Sequence, residues 1–69
     1  MVPAFESCMM RSCASEHKSC LANWACRKSV RQCRIEGEWN FDHQCLFAEA
    51  KETGFFSEWY HCAGAHFCI

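Results

Sequence analysis

Eight cysteines and four histidines are the residues of this chain best equipped for chemistry. Three kinds are conceivable: metal ligation, thiol redox exchange and nucleophilic attack. Structural zinc sites use short, regular spacings such as C-x2-C and H-x3–5-H. No C-x2-C occurs here, and His61 and His66, which flank Cys62 and Cys68, are irregularly placed. Redox exchange draws on a low-pKa thiol, commonly in C-x-x-C, which is equally absent. Nucleophilic catalysis needs a base and an orienting group around the nucleophile. His17 between Ser15 and Ser19 offers only adjacency on a polar helix face. The remaining use of eight cysteines in a 69-residue chain is a disulfide framework. On this reading there is no catalytic residue, no metal site and no cofactor, and the chain is not an enzyme.

The framework has a physical reason. A domain of this size rarely gains more than about 3–5 kcal/mol from its core, while each native bridge contributes about 2–4 kcal/mol. Such bridges persist in oxidising compartments. Met1 to Phe5 carries neither a basic n-region nor an apolar h-region, so the expectation is a mature chain, a trimmed chain or one domain of a longer precursor. No apolar run reaches membrane-spanning length, so no transmembrane segment is expected. Seven Lys and Arg against eight Asp and Glu leave a net charge of −1, which argues against a nucleic-acid partner.

The elements that must hold these cysteines read as helices. Three Gly and one Pro are too few for a turn-rich β scaffold. The pattern predicts one all-α, disulfide-stapled domain over residues 1–69, built from two helical hairpins of about four short helices. Pro3 suits the first turn of a helix from Ala4 to Ala22. Asn23 caps a second, from Trp24 to about Ile35, which Gly37 ends before the connection Glu38-Trp39-Asn40. Asp42 caps a third, from His43 to about Glu52, with Thr53-Gly54 as its stop. A fourth runs from Phe55 to about Ala63 and is closed by Gly64.

Cysteine spacing extends this scheme. Cys13 and Cys20 are seven residues apart, as are Cys26 and Cys33, so each pair lies on nearly one helix face. Within a helix that separation is about 10.5 Å, too long for a bond. Symmetry about Asn23 predicts Cys20–Cys26 and Cys13–Cys33, and symmetry about Thr53-Gly54 predicts Cys45–Cys62. Cys8–Cys68 would join the ends.

The run Cys8 to Cys26, spaced C-x4-C-x6-C-x5-C with Leu21-Ala22-Asn23 after its third cysteine, carries a resemblance. It resembles the cysteine-rich N-terminal domain of the violaxanthin de-epoxidases of the thylakoid lumen. That family has further cysteines in its first half and proline where Trp24 stands, and its catalytic site lies in a separate lipocalin-like barrel. The resemblance therefore implies compartment, fold and a protein-contact role, without the de-epoxidase reaction. It points to a lumenal structural subunit, contacting a membrane-embedded photosynthetic assembly such as a photosystem or antenna. A secreted helical ligand (toxin, pheromone or effector) is the alternative, and an accessory domain of a de-epoxidase-like enzyme is a third.

Two features are candidates for partner contact. Arg27, Arg31 and Arg34 recur at i, i+4 and i+7 beside Lys28, forming a basic stripe suited to an acidic surface. Trp39, Phe41, Phe47, Phe55, Phe56, Trp59, Tyr60 and Phe67 crowd the second half, more aromatic surface than so small a body can enclose. Trp39, Phe55, Phe56, Trp59 and Phe67 are taken as contact residues, with at least one of Phe55 and Phe56 facing outward. An acidified lumen would titrate the histidines below about pH 6.5.

Overall fold

Two of the helices start on visible side-chain caps. A computed structural model describes residues 4–35, 40–51 and 54–69. Among them, five helices follow one another: α1 Ala4–Ser12, α2 Ala14–Ala22, α3 Trp24–Cys33, α4 His43–Ala50 and α5 Phe55–Ala65. The Asn23 side chain accepts from the Cys26 N–H at 2.9 Å, which caps α3 as its type requires. Asp42 does the same for α4, accepting from the N–H groups of Gln44 and Cys45. Gly54 enters α5 at φ 118, a backbone state open to glycine and costly for other residues.

Three local expectations need correction. The long first helix is broken at Cys13, whose φ of −133 and ψ of 36 separate α1 from α2 without any Pro or Gly. The helical ladder survives on both sides, with Cys13 N–H bonded to the Met9 carbonyl and His17 N–H to that of Cys13. The bend thus follows from tertiary demand: Cys13 is fully buried and bonded to Cys62 of α5. The second helix stops at Cys33, short of Ile35. Gly64 does not close the last helix, which continues to Ala65. Gly37, Glu38, Trp39, Glu52 and Thr53 lie outside the described residues.

All eight cysteines are paired. Cys20–Cys26 forms as the spacing about Asn23 predicts, and Cys8–Cys68 joins the ends as expected. The expected Cys13–Cys33 and Cys45–Cys62 bonds do not; Cys13 pairs with Cys62, and Cys33 with Cys45. The reason is where the chain turns back. After α3 an antiparallel bridge joins Arg34 to Phe41, with Ile35 N–H on the Asn40 carbonyl and Asp42 N–H on that of Cys33. This reversal delivers α4 directly beside α3, so Cys45 meets Cys33. Helix α2 meanwhile packs against α5 as well as α3, which leaves Cys13 facing Cys62.

One core receives residues from every helix. Phe5 and Met9 come from α1, Cys20 from α2, Cys26 and Cys33 from α3, Leu46 from α4, and Phe56, Trp59 and Ala63 from α5, with Phe41 from the reversal. The inward set of α5 recurs at i, i+3 and i+7, one stripe of an amphipathic helix. At the centre, Phe5 lies 4.9 Å from Phe41 and 5.9 Å from Trp59, and Phe56 stacks on Trp59 at 5.5 Å. These centroid separations are those of attractive aromatic pairs.

Candidate functional site

The one buried ionisable residue of the described chain is His17, 5% exposed. It sits on α2 between Cys13 and Cys20 at helical spacing, so the stripe that buries the two cysteines buries it too. Its Nδ1 accepts a hydrogen bond of 3.1 Å from the indole Nε1–H of Trp59. An accepting Nδ1 belongs to the neutral ring, whose proton then resides on Nε2. Burial holds the His17 pKa below the ordinary 6.5, and the Glu6 carboxylate opposes that shift without cancelling it. The ring thus faces inward, away from the exposed Ser15, and does not assemble with it as a nucleophile and base.

Cysteine chemistry is accounted for by pairing. The Sγ atoms of Cys13 and Cys62 and a ring nitrogen of His66 lie within 4.8 Å of one another, a spacing compatible with metal ligation. Both sulfurs are bonded to each other, so neither is a thiolate able to bind a metal.

The basic stripe forms as a surface feature. Arg27 and Arg31 are exposed along α3, and Arg34 is exposed at its C-cap. Cys26, Val30 and Cys33 make the opposite, inward stripe. Trp24 joins the cationic face, 66% exposed, with the Lys28 ammonium 5.1 Å from its ring. Its i, i+3, i+4 and i+7 relation to Arg27, Lys28 and Arg31 was a signal available in the sequence. Together these four residues line a shallow groove. Lys51, at the C-cap of α4, stands over Phe47 at 5.2 Å in the same i, i+4 manner.

The aromatic candidates divide. Trp59 is fully buried and Phe56 nearly so; both are core residues, because they lie on the inward stripe of α5. Phe55, one residue off that stripe, is exposed. Phe67 is 89% exposed and adopts φ 57, the left-handed region, in which a bulky residue is an outlier. Its N–H bonds the Gly64 carbonyl and that of Cys68 bonds the Ala63 carbonyl, which closes α5 with a Schellman motif. That motif normally places glycine where Phe67 stands. Trp39 lies outside the described residues. Sequence reasoning missed Trp24 as an exposed aromatic and Phe5 as a core one.

Fold and staples define the class: a small, all-α, disulfide-rich helical module of an oxidising compartment. Among the described residues no helix is long and apolar enough to cross a membrane. No family model, curated protein or solved structure matches the chain.

Proposed function

We propose that this chain is a non-catalytic, disulfide-stapled subunit that braces or connects a larger assembly, on the lumenal side of a photosynthetic membrane. The observation that carries the contact role is Phe67. A phenyl ring held almost wholly in water, on a backbone state that disfavours it, contributes little to the fold. Such outliers persist where the surroundings force them and cluster at functional positions. Here the forcing element is the neighbouring Cys68–Cys8 bond, together with the Schellman hydrogen bonds. Exposed, rigidly presented aromatics are the side chains that anchor interfaces. The cationic face of α3 supplies complementary steering toward an acidic surface.

The compartment reading rests on the fully paired cysteines, and its photosynthetic refinement on the likeness of Cys8 to Cys26 to the de-epoxidase N-terminal domains. The absence of free thiols leaves the oxidised molecule no thiolate nucleophile, and its buried imidazole is engaged by Trp59. Native-gel fractionation of solubilised membranes tests the proposal. The chain should co-migrate with photosystem or antenna complexes, resist protease until the lumen is opened, and associate more weakly on Phe67→Gly. Recovery solely as a free monomer, with no such neighbours, overturns it. A simple secretory signal on the precursor would instead support a secreted ligand, which shares the same stapled frame.

A further inference from the structure

We propose that the concavity bounded by α1, α2 and α3 is a binding site for a carboxylate carried on a compact apolar body. Its wall is apolar: Phe5 from α1, Leu21 from α2 and Val30 from α3. Its rim carries the guanidinium groups of Arg27, Arg31 and Arg34. Among the described residues Glu6 is the single acidic one lining it, against the guanidinium groups of Arg27 and Arg31. Neither Arg27 nor Arg31 meets a carboxylate among the described residues. Their forked donors match the two oxygens of a carboxylate, which an ammonium would not do.

The histidine adds a second, independent feature. His17 also lines this concavity. With Nδ1 engaged by Trp59, Nε2–H is the donor the neutral ring has left. A donor beside an apolar wall, under a cationic rim, is the arrangement by which pockets orient an amphiphilic acid. The volume, about 230 Å³, lies below the ~300–1,000 Å³ of sites for drug-sized ligands and limits the occupant to a short chain or a single ring. An inorganic anion would leave the apolar wall uncovered, and a neutral hydrocarbon would leave the guanidinium groups of Arg27 and Arg31 unmatched. This site does not depend on a photosynthetic location; it would serve a secreted chain equally.

The test is titration of the oxidised, full chain, followed by nuclear magnetic resonance. The probes are 4-phenylbutyrate, its neutral counterpart 4-phenylbutanol, and sulfate. Expected are shifts at His17, Leu21 and Val30 with phenylbutyrate, at least tenfold weaker binding of the alcohol, and no saturable binding of sulfate. The exposed double variant Arg27→Gln/Arg31→Gln should weaken phenylbutyrate at least tenfold, whereas Lys51→Gln at the C-cap of α4 should leave it unchanged. Leu21→Trp, which fills the mouth from an exposed position, should block it. A short peptide ending in phenylalanine, free or amidated, identifies the source. Tighter binding of the free-carboxylate peptide than of phenylbutyrate assigns the site to a protein tail, and the reverse assigns it to a free organic acid. Equal binding of acid and alcohol, indifference to the double arginine variant, or no saturation by either carboxylate overturns the proposal.

Discussion

Trp59 and Phe67 lie eight residues apart near the same end of the chain, and they are held in opposite ways. Trp59 is fully buried, ringed by Phe5, Phe41 and Phe56, and bonded through its indole to His17. Phe67 is 89% exposed on a left-handed backbone beside the Cys8–Cys68 bond. The first region is held by exclusion of water, the second by covalent and backbone bonds. Cross-links thus let a small domain keep an aromatic side chain outside, where burial would otherwise claim it.

Deleting the side chain on each side gives the largest contrast. Trp59→Ala should cost about 3–5 kcal/mol, as truncation of a buried aromatic does, and Phe67→Ala should change stability by under about 0.5 kcal/mol. Denaturant unfolding of the oxidised chain measures both; a small loss at Trp59 would mean that sulfur alone maintains the fold. The bridges themselves come next. Cys13–Cys62 spans 49 residues and Cys20–Cys26 spans six. On the loop-closure account, replacing both cysteines by serine should cost about 4 kcal/mol for the first and about 2 kcal/mol for the second. Similar losses for both would show that strain or packing outweighs chain entropy.

His17 sharpens the inner half of the contrast. His17→Leu removes the acceptor of a buried indole N–H and should cost about 1–3 kcal/mol. Because burial depresses the His17 pKa, the unfolded chain takes up its proton near pH 6.5 while the folded chain still refuses it. This contribution is complete above pH 6.5 and is lost as pH falls through the lower folded value. Comparing the stability of His17→Gln with that of the parent across this window isolates it; equal slopes would remove His17 as the cause. The smallest effect belongs to Phe67. Phe67→Gly should stabilise by about 1 kcal/mol, the relief of a side chain in the left-handed region, and still weaken association. A destabilised glycine variant would show that the ring supports the fold after all.

What could be read from the sequence was what short stretches decide alone. Asn23 and Asp42 announce their helices because a cap is a bond between a side chain and an amide two or three residues on. Cys20–Cys26 follows for the same reason, since a capped turn lies between its partners. Cys13–Cys62 and Cys33–Cys45 were illegible because each depends on an event without a local marker. The bend at Cys13 has no breaker residue, and the second reversal, from Arg34 to Phe41, gives Cys33 a nearer partner than the fold-back about Asn23 does. The aromatics were legible in number, and their sorting lay in periodicity. Phe56, Trp59 and Ala63 share a face that Phe55 misses, whereas the exposure of Phe67 comes from how α5 ends. The arginine stripe was visible at its spacing, but the concavity beneath it needs α1 and α2 in place.

The Cys8–Cys68 bond also decides how the molecule answers a pull. The two α-carbons stand 5.5 Å apart, although 60 residues separate them along the chain. Tension applied at the two extremities enters at one sulfur and leaves at the other, so the intervening helices carry none of it. A subunit tethered from both sides would act as a short inextensible link while its interior stays unloaded.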